Sequence, residues 1–155
     1  MTSEAARQRP GISIRLRRWF DAPRANVFRA WTNKEALRRW WCPMGWALVE
    51  IEVDLRVAGM YRIAMRNRES GLPVSVCGRF LEIHTPERLV YTWQWENAFL
   101  DMPETRVTVQ FVESGTGTEV VLIHENFPEV GVCLQHRAGW IAAWSRMEMS
   151  CLEHR

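Results

Sequence analysis

At 155 residues, 47% hydrophobic and 25% charged, the chain has the size and make-up of one globular domain with room for a sizeable core. A net charge of +2 excludes a protein that holds nucleic acid by bulk charge. No stretch approaches the roughly 18 apolar residues of a membrane span, and residues 1–11 are polar and lack the apolar centre of a signal peptide.

The charge is unevenly placed. Residues 1–40 carry nine Arg and Lys34 against three acids, whereas the rest carries ten Arg against fifteen acids. The arginines interleave with core positions instead of forming a stripe, and no nucleic-acid motif accompanies them. Solvated faces and intramolecular ion pairs are therefore expected, with no nucleic-acid partner. Cys42, Cys77, Cys133 and Cys151 are far apart and form no CxxC pair, which fits free thiols in a reducing cytoplasm. Nine tryptophans are many for this length and point either to a bulky core or to an aromatic-walled cavity.

In chain order, residues 1–11 read as a flexible segment and 12–155 as a single domain. Ile12, Ile14 and Leu16 alternate with Ser13, Arg15 and Arg17, which predicts a strand with one wet face. Asp21 is placed to cap a helix, and Pro23 suits its first turn. Val27, Phe28 and Trp31 follow at helical spacing. A second short helix is expected from Thr32 or Asn33, with Leu37, Trp40 and Trp41 on its apolar side and Pro43 and Gly45 ending it.

Strands then come in quick succession. Ala47, Val49, Ile51, Val53 and Leu55 share one parity, and Tyr61, Ile63 and Met65 share another. A turn over 67–73 leads to a strand over 74–83, where Gly78 suggests a bulge. After a turn at His84-Thr85-Pro86-Glu87, Leu89, Tyr91, Trp93 and Trp95 alternate with polar residues. A loop over 97–103 precedes Val107, Val109 and Phe111, and Ser114-Gly115-Thr116-Gly117 closes a hairpin into a last strand over 118–125. Short connections favour sequential antiparallel pairing, a meander with one buried face.

The remaining stretch, 130–152, must cover that face. Val132, His136, Gly139, Trp140, Ala143, Trp144, Met147 and Cys151 recur on one helical stripe. A long helix laid on a curved sheet is an α+β two-layer body. Gly139 within the helix suggests close backbone approach to a neighbour.

Six motifs in order carry a family resemblance over about residues 12–150. They are Phe20-Asp21-Ala22-Pro23 through Val27-Phe28, Ala30-Trp31, Leu37, Trp40-Trp41, Pro43 and Gly45; Asp54-Leu55-Arg56-Val57-Ala58-Gly59-Met60-Tyr61; Gly78-Arg79-Phe80-Leu81-Glu82-Ile83; Pro86-Glu87-Arg88-Leu89-Val90-Tyr91-Thr92-Trp93; Thr118; and Gly139-Trp140. This pattern resembles the heat-shock-protein ATPase activator homologue family of the START-like (SRPBCC) superfamily. The resemblance implies the helix-grip fold: a curved antiparallel sheet wrapped around a long C-terminal helix, two short helices after the first strand, and a cavity between sheet and helix. Two departures stand out. Val57-Ala58 replaces the family's usual Pro-Gly, and Trp144 and Met147 stand where leucines are usual. No counterpart of the extra N-terminal domain of eukaryotic co-chaperone activators is expected from these motifs, which weakens transfer of a chaperone partner. START-like domains occur as monomers and dimers, so a homodimer stays open.

No Gly-x-Ser-x-Gly elbow, His-Glu-x-x-His or phosphate loop is present, and His84, His124, His136 and His154 lack metal-ligand spacing. Neither a metal nor a cofactor is expected. The expected function is binding of a small hydrophobic or amphipathic ligand in the sheet–helix cavity. Its candidate walls are Tyr61, Ile63, Met65, Phe80, Tyr91, Trp93, Val107 and Val109 from the sheet, with Trp140 and Trp144 from the helix. His124 and His136 are candidate polar contacts whose facing parity leaves open, and Trp40 and Trp41 are candidates to gate or brace the opening. A START-like cyclase or hydrolase would use the same space with His124, Tyr61 or Glu82 as acid or base.

Overall fold

The computed structural model describes residues 11–96 and 102–150. The chain runs β1 (Ile12–Phe20), α1 (Arg24–Thr32), α2 (Lys34–Trp40), β2 (Trp46–Val53), β3 (Met60–Asn67), β4 (Pro73–His84), β5 (Arg88–Trp95), β6 (Thr105–Ser114), β7 (Gly117–Phe127) and α3 (Val130–Ser150). All seven strands join one antiparallel sheet in the order β1-β7-β6-β5-β4-β3-β2. From β2 to β7 each strand pairs with the next, as the short connections require. β1 instead pairs with β7, so α1 and α2 carry the chain from one edge of the sheet to the other. This is the helix-grip architecture. No described helix is long and apolar enough to cross a membrane.

The helix ends follow local chemistry, with one correction. Asp21 is not the cap of α1: Pro23 holds that position in extended geometry, and no side chain caps the turn. Asn33 does cap α2, its side chain accepting from the backbone N–H of Ala36 at 3.1 Å. Thr118 on β7 donates to the carbonyl of Ala22 at 2.8 Å and so ties the entry of α1 to the sheet. The backbone of α3 approaches α2, β1 and β7 most closely, and Arg146 Nε donates to the carbonyl of Trp40 at 3.1 Å. Along α3, Cys133, Trp140, Ala143, Trp144 and Met147 are buried. Gly139 is exposed, and a Cβ built on it meets nothing within 4 Å, so close approach is not its reason.

Besides a slip between Ile12 and Ile14 in β1, two bulges shift side-chain facing. In β2 the register slips between Leu48 and Glu50. Ile51 and Val53 turn inward as parity predicts, but beyond the slip Val49 is exposed, while Leu48 packs on the core and Trp46 is half-buried. The bulge in β4 lies between Phe80 and Glu82, not at Gly78. Gly78 is required for another reason. A Cβ there would overlap the Thr92 carbonyl and come within 2.6 Å of the Tyr61 ring, which crosses Gly78 so that its hydroxyl reaches the Thr92 carbonyl at 2.6 Å.

The β2–β3 turn also departs from expectation in its chemistry. Ala58 adopts φ 69°, the left-handed region. Flanking bonds hold it there: Ala58 N donates to the Phe80 carbonyl and Phe80 N to the Gly59 carbonyl, at 2.8 and 2.9 Å. On the surface, arginines from early in the chain meet later acids. Arg17 pairs with Glu119, Arg18 with Glu148, and Arg24 with Glu87 and Glu113. The uneven charge is thereby balanced within the fold, each exposed pair adding about 0–1 kcal/mol.

Candidate functional site

Because α3 lies close to β1 and β7, it diverges from the β2–β5 half of the sheet. A cavity of about 400 Å³ occupies that wedge. Gln135, His136, Gly139, Trp140 and Ala143 of α3 form one wall; Met65, Val74, Trp93 and Trp95 of the sheet face them; Trp41, Pro43 and Trp46 complete the rim. Exposed Gln135 and Gly139 mark the opening. Five of these side chains are indoles, and none of the lining residues bears a formal charge. A second, inner void of about 30 Å³, set among more deeply buried residues and sharing Trp41 and Trp93 with the first, lies between Trp31, Trp41, Tyr61, Ile63, Phe80, Tyr91 and Trp93. That is room for roughly one water.

Trp31 of α1 accounts for the difference. It stacks on Trp140 at 6.0 Å and 21°, packs against Trp40, Phe111 and Trp144, and donates its N–H to the Tyr91 hydroxyl at 3.2 Å. The interior is therefore plugged by aromatics at its inner end and hollow at its outer end. Of the residues expected on the wall, Trp41, Met65, Trp93, His136 and Trp140 line the outer cavity, and Tyr61, Ile63, Phe80 and Tyr91 line only the inner void.

Five expected residues lie on neither wall. Trp40 is a brace, fully buried with its N–H on the Ala30 carbonyl at 2.9 Å. Trp144 packs edge-on against Phe20 and Trp31. Val107 and Val109 are completely buried in the β6 core. His124 points inward but sits behind Trp93, Trp140 and Phe127, with no exposure. Trp95, which shares the parity of Tyr91 and Trp93, lines the outer cavity as that alternation predicts, and the residues missed on the wall are Pro43, Trp46, Val74, Gln135, Gly139 and Ala143. For Trp46 the β2 bulge hides the signal. Gly139 did carry one, as a glycine in mid-helix, but its side-chain vacancy opens space instead of admitting a neighbour.

His124 and His136 are each held by an indole. Trp140 Nε1 donates to His124 Nδ1 at 3.2 Å, so the proton of His124 is on Nε2 and is given to Thr105 Oγ1 at 2.8 Å. Thr105 in turn donates to the Trp93 carbonyl at 3.2 Å. Trp95 Nε1 donates to His136 Nε2 at 3.0 Å, and His136 Nδ1 donates to the Val132 carbonyl at 2.8 Å. Burial pushes both imidazoles below their usual pKa; His124 goes well below, with the nearby His136 adding to the effect. Both are neutral donors and acceptors with every ring nitrogen engaged.

The acid–base candidates do not converge. Burial drives the Tyr61 phenol well above its usual pKa, and its proton is committed to Thr92. Glu82 lies at the surface, paired with Arg88 and His84. Among the described residues no group of His, Cys, Asp and Glu is arranged to hold a metal.

An antiparallel sheet gripping a terminal helix, with an apolar cavity in the wedge between them, defines a START-like helix-grip domain. The family described as Activator of Hsp90 ATPase homolog 1-like protein matches residues 21–150, and the chain belongs to that family. A crystal structure of a Chromobacterium violaceum protein is similar at 27% identity, covering 90% of this chain and 96% of that one, with a TM-score of 0.82. CalU16 from Micromonospora echinospora is 27% identical over 88% of this chain and 74% of its own, with a TM-score of 0.69. The AHSA1 protein from Silicibacter pomeroyi, 21% identical over 93% and 100% of the two chains with a TM-score of 0.81, shares the fold. No curated protein matches the sequence significantly.

Proposed function

We propose that the domain binds a small, uncharged, mainly apolar molecule in the wedge between α3 and the β2–β5 half of the sheet. The observation that carries this reading is the outer cavity: about 400 Å³, open at Gln135 and Gly139, and walled by five indoles. Ligand sites are typically concave, roughly 300–1,000 Å³, and apolar with a few placed polar groups. Affinity would come from desolvation, about 25 cal/mol per Å² of apolar surface buried before ordering costs are subtracted. The paired His136 and Trp95 supply polarity without charge, which disfavours ionic ligands. Free Cys42, Cys77 and Cys133 suit a reducing cytoplasm.

Titration with a panel of lipids, polyketides and aromatic metabolites, followed by tryptophan fluorescence, tests the reading. At least one class should quench or shift the emission saturably. A flat response across the panel counts against ligand binding.

A further inference from the structure

The lining of the outer cavity changes character with depth. Its most buried members are Met65, Val74, Trp93, Trp140 and Ala143. Three of them are apolar side chains, and neither indole has an N–H to give. Trp140 Nε1 is bonded to His124 Nδ1 at 3.2 Å, and Trp93 Nε1 is buried where a water-sized molecule cannot touch it. Further out, Trp95 Nε1 takes the lone pair of His136 Nε2 at 3.0 Å, and His136 Nδ1 gives its proton to the Val132 carbonyl at 2.8 Å. These side chains have no further hydrogen bond to offer. At the mouth the chemistry reverses. Gln135 is exposed there, and its amide, with two donor hydrogens and an acceptor oxygen, bonds to no described residue.

We infer that the outer cavity selects a one-ended amphiphile: a neutral ring body whose hydrogen-bonding groups all lie at one end, held with its apolar end inward and its polar end at Gln135. The inference rests on the ligand-binding reading above and specifies its chemistry. A hydroxyl or carbonyl carried inward to Met65, Val74 and Ala143 would shed its water and find no partner, so it would weaken binding. The same group at the mouth keeps its water or exchanges it for the Gln135 amide, at little cost. A ring body suits these walls because indole surface packs well against flat apolar surface, and a rigid guest loses little freedom on entering.

Two isomers separate the position of polar groups from their number, and both are tested on the full chain. Naphthalene-2,3-diol carries both hydroxyls at one end, whereas naphthalene-2,6-diol carries one at each end. Calorimetry should give the 2,3-isomer about tenfold or more tighter binding. Intermolecular NOEs should place the unsubstituted ring of the bound 2,3-isomer against the methyls of Val74 and Ala143. Gln135→Leu, at an exposed position, should weaken the 2,3-isomer about threefold or more and leave indane, which has no polar group, unchanged. An unmoved 2,3-isomer in that variant overturns Gln135 as the polar contact. Equal binding of the isomers, or an unsubstituted ring found at the mouth, overturns the one-ended orientation. So does failure of both isomers while the metabolite panel responds. Failure of both together with a flat panel overturns the ligand-binding reading beneath it.

Discussion

Trp95 and His136 meet across the cavity wall at 3.0 Å, the indole N–H of the strand donating to Nε2 of the helix imidazole. Protonating His136 would set two donors against each other, and burial already opposes the charge. The same holds for His124 beneath Trp140. In the unfolded chain both imidazoles titrate near about 6.5. Above that value neither state binds the proton and stability is flat. Below it the unfolded chain takes up protons that the folded chain refuses, so stability falls as pH falls, at a limiting slope of about 1.4 kcal/mol per pH unit for each histidine. Urea midpoints from pH 5 to 8 should show this, and His136→Gln should remove part of the slope.

Among the described residues, Thr105 is the sole acceptor for the His124 Nε2 proton. Thr105→Val keeps the shape and strands that proton in a site without solvent, costing about 1–3 kcal/mol. Thr105→Ser, which restores a hydroxyl, should recover much of the loss. Denaturant unfolding of the two variants gives the comparison.

Gly139 faces open space at the cavity mouth. Gly139→Ala should therefore stabilise the protein by about 1 kcal/mol through helix propensity, with no clash to offset it. Gly139→Phe should keep the fold, read by circular dichroism, while weakening any ligand found with the fluorescence panel by tenfold or more.

Ala58 holds a left-handed conformation where the family resemblance leads one to expect glycine. An L-residue there costs roughly 1–2 kcal/mol, partly offset by glycine's greater freedom in the unfolded chain. Ala58→Gly should raise stability by about 0.5–1 kcal/mol, seen as a higher midpoint in thermal unfolding.

The architecture was legible because its signals are periodic. Alternation in β1, β3, β5 and β6 and the stripe on α3 each follow from facing a common core. The hollow was less legible, because a tryptophan that fills space and one that borders it leave the same trace in a sequence. Trp31 reads as helix core, and only its stacking on Trp140 reveals that it stops the cavity short. Trp46 was hidden by a one-residue slip in β2, which no alternation pattern announces. Parity left His124 undecided, since Val121 and Ile123 are as apolar as Val120 and Leu122. The structure turns it inward and occupies both ring nitrogens.

The divergence of α3 from half of the sheet separates two kinds of evolutionary freedom. Contacts that keep the chain folded gather where the helix lies against β1 and β7, whereas Met65, Val74 and Trp46 border empty space on the other flank. Exchanges on that flank can reshape the hollow while leaving the anchored flank intact. A scaffold divided in this way can alter the shape of its hollow many times without relearning how to fold.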